Sequence, residues 1–365
     1  MNIVRSIAFN PDGQRVAIAT QFGEVRVIDA DTREVLQTLS RSLVTEDAKL
    51  IYTMAWNPQG TLLAAAGVDR HITVWDASKD YSAQYLGPMS GNVESLAWNT
   101  DGTYLATASQ SAPDSVTIWD VTAGQMIFSP SVGDASEVVW HPDSNRFAVS
   151  RLEEIQIWDL MTQQKVETIP IQHWATALDW SPDGTRMVNA DFLGSIEPPN
   201  SALNIWDVKG GQLLMTLTEH EGVITSAQWS PDGTRLVTSS HDKTVKVWDA
   251  ASGEVLATYQ SDESVFDSAF SPYGARIVFA KALLPETEQR DVRTKVDALE
   301  VVVPAPSLEQ LNAIQKQCLP SERSFTMVRH IDELPQWITQ LENTSDIEPG
   351  CASDLLAVAH ALTDK

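Results

Sequence analysis

Ser240, His241 and Asp242 stand side by side in the stretch TSSHDKTVKVWD (238–249), and they are the three residue types of a hydrolase triad. In such a site the serine attacks an acyl carbon, the histidine takes its proton and the aspartate holds the imidazole. Adjacency argues against that chemistry here. Neighbouring side chains on an extended strand point to opposite faces, so His241 cannot readily bond both flanking residues. A second reactive set is Cys318 and Cys351 with His330 and His360, but its spacing matches no common zinc pattern. The chain also lacks a glycine-rich phosphate loop, a His-Glu-x-x-His and a Cys-x-x-Cys. No catalytic residue, metal site or cofactor is therefore assigned.

The elements that would carry these residues are repeats. One phrase, an apolar run, an aromatic and a Pro-Asp-Gly-like turn, occurs seven times. Its copies are SIAFNPDG (6–13), TMAWNPQG (53–60), SLAWNTDG (95–102), EVVWHPDS (137–144), ALDWSPDG (177–184), SAQWSPDG (226–233) and DSAFSPYG (267–274). Their aromatics, from Phe9 to Phe270, are 40 to 49 residues apart. A second phrase follows each: VRVIDA, ITVWDA, VTIWDV, IQIWDL, LNIWDV, VKVWDA and a degenerate LEVVVP (299–304). Short apolar or alternating runs between turn residues are the pattern of strands. Proline presets φ for the turn, and glycine supplies a positive φ. A lone four-stranded sheet cannot bury both faces, whereas sheets packed radially can.

Two ordered phrases at a period of roughly 40–45 residues, one ending in Trp-Asp, resemble the WD-repeat family over about residues 3–304. The resemblance implies an all-β fold: a seven-bladed β-propeller of four-stranded antiparallel blades over 1–304. A small α-helical appendage would follow over 305–365. It also implies a structural tetrad in the sixth unit. Asp242 in the b–c turn would hold His220 of the preceding d–a loop, and Thr238 and Trp248 would extend the hydrogen-bond chain across the blade. Other units depart from this. The second has Ala65 at the Thr position and no loop histidine, the first has Ile28 for the tryptophan, and the third to fifth lack the matching histidine. These blades are expected to rest more on apolar packing.

In this architecture the d–a and b–c loops share one face, and the long segments 40–50, 110–115, 191–202 and 281–296 all fall there. Long loops in a compact domain are usually functional. Trp174, Phe192, Ile196, Leu283 and Leu284, with acidic Asp191 and Glu197, are the candidate partner contacts on that face. Forty-nine acidic residues against 25 basic ones, a net charge of −24, repel phosphate backbones. A protein partner with a basic surface is expected, and nucleic acid is not. No apolar run is long enough for a membrane span, and the propeller is expected to be a monomer.

Serine at 307 and apolar Leu308, Leu311 and Ile314 mark a helix start after the repeats, and CASDLLAVAHAL (351–362) reads as another helix. Cys318 and Cys351 bracket this region, and both a disulfide and two buried thiols are compatible with it. The start MNIVRSIAFNPDG lacks a basic region and an apolar run. A cytoplasmic location is expected, or an extracytoplasmic one with an upstream signal or an oxidised cysteine pair. With strand a expected almost at Met1, an N-terminal strand is not expected to complete the seventh blade. A strand from the tail such as 324–330, or a covering helix, would have to serve. The leading reading is a non-catalytic interaction scaffold. The alternatives are the sensor portion of a larger protein and an enzyme with a site at the channel mouth.

Overall fold

A computed structural model describes residues 4–20, 23–41, 50–110, 114–143, 145–193, 201–281, 299–302, 314, 318, 338, 347 and 349–363. Six four-stranded antiparallel sheets form over 4–40, 51–86, 93–128, 138–170, 175–217 and 224–260, each with its strands a–d in chain order. The seventh repeat makes a sheet of three strands among the described residues, Val265–Phe270, Ile277–Lys281 and Leu299–Val302. The expectation of seven four-stranded blades is thus corrected to six, with a three-stranded sheet between the sixth and the first. Strand a of each sheet packs beside strand a of the next, and 265–270 lies beside 4–9, so the ring closes.

Burial follows position in the blade. Strand b is covered on both faces by neighbouring blades: Leu62–Gly67 is a run of small and branched apolar residues, and Arg235–Ser240 is buried along its whole length although four of its six residues are polar. Strand d is the outer edge and keeps exposed side chains, as in Gln212–Leu217.

The repeat aromatics bind blade to blade. The arginine at or just before the start of strand b reaches the following sheet's a–b turn: Arg186 donates to Gly233 O (3.2 Å), Arg235 to Gly274 O (2.8 Å) and Arg276 to Gly13 O (2.8 Å). The same guanidinium lies over that sheet's repeat aromatic, Trp229 at 4.5 Å, Phe270 at 5.4 Å and Phe9 at 5.8 Å from the ring centroid. Near the axis, the residue three before four of the repeat aromatics accepts a backbone N–H of the next sheet. Leu96 donates to Thr53 (3.2 Å), Val138 to Ser95 (3.3 Å), Ser268 to Ser226 (3.1 Å) and Ile7 to Asp267 (2.8 Å). The last of these is the ring's own closing bond.

Among the described residues a continuous helix, α1 (Pro349–Thr363), follows the propeller and packs on Ala275 and Tyr273 with Ile314, Ile338 and Ile347. Cys318 and Cys351 are joined as a disulfide, with Cα atoms 5.8 Å apart. Residues 324–330, expected as a closing strand, lie outside the described residues.

Candidate functional site

The residues read as a tetrad come together. His220 Nδ1 donates to Asp242 Oδ2 (2.7 Å), and its Nε2 lies 2.7 Å from Thr238 Oγ1. The indole N–H of the buried Trp248 donates to the same hydroxyl (2.9 Å). With the proton on Nδ1, Nε2 accepts from the threonine, and every member is satisfied. Burial alone would raise the Asp242 carboxyl, but hydrogen bonds from His220 and Thr244 hold it well below the usual carboxylate range. Replacing Thr238 by Ala strands two buried nitrogens. It is expected to cost about 1–3 kcal/mol, read as a lower denaturation midpoint, whereas Thr238→Ser is expected to retain most of the stability.

The neighbouring Ser240 and His241 do otherwise. Ser240 is fully buried and accepts the Asp242 backbone N–H (3.1 Å). The ring of His241 turns edge-on to Phe266, centroids 5.3 Å apart. Among the described residues no hydrogen bond joins the three side chains as a triad.

The other blades, expected to rest more on apolar packing, also carry polar contacts of their own. In blade two, Arg41 enters where a loop histidine was sought. It donates to Thr73 Oγ1 (3.0 Å), Asp69 Oδ1 (2.7 Å) and His71 O (2.6 Å). In blade three Trp119 donates to Thr117 (2.9 Å), and in blade four Trp158 donates to Gln156 (3.0 Å). In blade five Trp206 donates to Asn189 Oδ1 (2.6 Å), and Asn204 donates to Asp191 Oδ2 (2.8 Å). A polar residue two before the strand-c tryptophan (Thr73, Thr117, Gln156, Asn204) was the available signal in all four.

On the d–a/b–c face the central channel opens into a mouth of about 450 Å³, continued inward by a space of about 290 Å³. The position four residues before each repeat aromatic lines the mouth: Arg5, Tyr52, Glu94, Ser136, Thr176, Thr225 and Phe266. Trp174 and His241 stand beside them. The Arg5 guanidinium lies 5.2 Å from the Phe266 ring centroid. Burial pushes Glu137 up to about 8, against a hydrogen bond with Ser95 and with further help from Glu94 and Asp267. Glu94 is raised by burial and partly restored by Arg5. Asp179 is pushed up to about 7 and Asp267 to about 6 by burial, against the backbone N–H groups they accept.

Of the candidate contacts, Trp174 is at this mouth, and its carbonyl accepts from Phe192 N (3.0 Å). Phe192 ends strand b of blade five with 40 % of its surface exposed. Asp191 is corrected. The sequence predicts it in a loop, but strand b runs on to Phe192, so Asp191 is 5 % exposed and bonded inside the blade. Ile196, Glu197, Leu283 and Leu284 lie outside the described residues. Among the described residues there is no cluster of three or more His, Cys, Asp or Glu that could hold a metal. No helix there is long and apolar enough to cross a membrane.

Comparison with known proteins places the repeats. The family model "WD domain, G-beta repeat" matches residues 34–76 and 211–249, each ending on a Trp-Asp pair. The family model "Eukaryotic translation initiation factor eIF2A" matches 88–220. WD repeat-containing protein 1 of Mus musculus and of Rattus norvegicus are each 32 % identical over 90 residues, 25 % of this chain and 14 % of theirs. The Bos taurus protein of that name is 32 % identical over 75 residues, 20 % of this chain and 12 % of its own. The match thus spans about one seventh of the mouse and rat proteins.

Proposed function

We propose, on the premise that this chain belongs to the WD-repeat family, that it is a protein-interaction scaffold whose d–a/b–c face receives a basic segment of a partner. One observation carries the choice of face. Trp174 stands at a concave mouth beside Glu94 and Glu137, with the long-loop strand ends around it. A tryptophan at a pocket edge offers large, rigid contact area, and such residues dominate binding energy at interfaces. Carboxylates out of bulk water favour a lysine or arginine side chain over a neutral one.

The raised Glu137 carboxyl also speaks for the alternative of chemistry at the mouth. Its hydrogen bond with Ser95 gives it a structural partner in the neighbouring blade, which favours the scaffold reading. Affinity purification with the full chain tests that reading. Trp174→Ala and Glu94→Gln are each expected to weaken one specific partner by about 30-fold or more with the fold intact. Retention of the same partners at parental strength by both variants would sink the assignment.

A further inference from the structure

In blades five and six the a–b turn is Ser-Pro-Asp-Gly, and its aspartate organises the corner. Asp232 accepts from Ser230 Oγ (2.6 Å) and Thr234 N (3.0 Å), and lies 3.8 Å from Arg235 Nη2. Asp183 likewise accepts from Ser181 Oγ (2.6 Å) and Thr185 N (3.0 Å). In the seventh sheet the same turn is Ser-Pro-Tyr-Gly (271–274), so Tyr273 stands where the carboxylate was. The missing group arrives from α1. Asp354, fully buried, accepts from Ser271 Oγ (2.5 Å), Ala275 N (3.4 Å) and Arg276 Nε (2.7 Å). These are the counterparts of all three partners of Asp232.

The same guanidinium crosses to the first blade. Arg276 Nη1 pairs with Asp31 (2.5 Å) and Nη2 donates to Gly13 O (2.8 Å). Ser353 of α1 also donates to Asp31 (3.0 Å). Backbone meets backbone beside this: Gly350 packs on the Asp12–Gly13 turn, where a Cβ on Gly350 would overlap the Asp12 carbonyl. Gly13 itself has φ +70°, which favours glycine. The helix therefore touches both sides of the joint between the first and last sheets, on the face opposite the channel mouth.

We propose that α1 is the lock of the ring: Asp354 replaces the turn carboxylate that the seventh repeat lost and, through Arg276 and Asp31, clamps that repeat to blade one. The clamp closes the one joint where the sheet lacks a described fourth strand, and leaves the d–a/b–c face open.

Hydrogen–deuterium exchange on the full chain tests this. In Asp354→Ala, amides of 4–20 and 265–281 are expected to exchange about 10-fold faster, while 146–170 on the far side stays within twofold of the parent. Adding Tyr273→Asp to Asp354→Ala rebuilds the turn from within, and is expected to recover most of the protection at 265–281 while α1 stays fast. Asp31→Asn keeps the helix core, and is expected to speed 4–20 about threefold even if Asp354→Ala does not fold. Parental exchange at 4–20 in both Asp354→Ala and Asp31→Asn overturns the lock, as does an equal rise around the whole ring.

Discussion

Asp69→Ala is expected to destabilise the protein by about 3–5 kcal/mol. Its cause is the charge left behind. The Arg41 side chain is 1 % exposed and that of Asp69 5 %, with Nη2 2.6 Å from Oδ2. Removing the carboxylate leaves a guanidinium that cannot shed its proton at ordinary pH and cannot reach bulk water. Thr73 and the His71 carbonyl remain, but neither carries charge. Replacing both partners together, Arg41→Met with Asp69→Leu, is expected to lie close to the parent, because the pair's desolvation cost disappears with it. The exposed pair Lys79–Asp76, at 2.8 Å with the lysine 74 % exposed, supplies the contrast. Lys79→Ala is expected to cost under about 1 kcal/mol. Denaturant midpoints of the four proteins check this, and a small loss in Asp69→Ala would mean that water reaches Arg41.

Arg41 carries no repeat signature, and the reason shows what such a signature can carry. The aromatic-turn phrase marks where strand a ends, and the Trp-Asp phrase marks strand c, because those residues make the same inter-blade contacts in blade after blade. The order of the repeats follows from them but the blade count does not: the phrases recur seven times, while six four-stranded blades form and the last repeat gives a three-stranded sheet among the described residues. Strand d has no such duty. It is the outer edge, its side chains are half exposed, and its types vary, so for the last repeat the sequence offers only the candidate strand 324–330, which lies outside the described residues. The sixth blade's tetrad was legible because its four residue types stand at the family's positions. In the other blades the same indole or loop need is met by different chemistry, Arg41 for a histidine and Gln156 or Thr117 for a strand-b threonine. A search for types misses these, whereas a search for any polar group two before the tryptophan finds them.

The mouth was less legible still. Arg5, Tyr52, Glu94 and Phe266 occupy one register position, yet their types share nothing, since each faces the axis rather than a neighbouring blade. Only the register betrays them. Asp191 misled for a related reason. Its neighbours in sequence look like a loop, but two more residues pair in blade five, and the carboxylate turns inward. Tyr273 was the visible departure in the seventh turn. Its meaning depended on Asp354, 81 positions away, which no local pattern links to it.

Raising the pH from about 5 to 9 is expected to destabilise the protein, and Glu137→Gln is expected to remove a large part of that loss. Folding holds Glu137 at about 8, Asp179 at about 7 and Asp267 at about 6, all above the ordinary carboxyl range. Between the unfolded and folded values the native chain keeps protons that the unfolded chain has released. Their contribution is therefore complete below about pH 4 and disappears as pH rises through the folded values. Asp183, held at about 2 by Ser181 and the Thr185 N–H, acts oppositely and weakens the fold only in strong acid. Maximal stability is then expected near pH 4–5. One pKa unit is worth about 1.4 kcal/mol, and Glu137 partly faces the water of the channel, so about 2 kcal/mol is a reasonable share for it at pH 8.5. Glutamine keeps the shape without the ionisation. The variant is expected to melt a few degrees above the parent at pH 8.5 and level with it at pH 5. An equal difference at both pH values would mean that Glu137 is ionised in the folded ring. The same proton bears on the proposed partner. A basic side chain entering the mouth favours the carboxylate, so its binding is expected to release a proton at neutral pH and to strengthen toward pH 8 in the parent but not in Glu137→Gln.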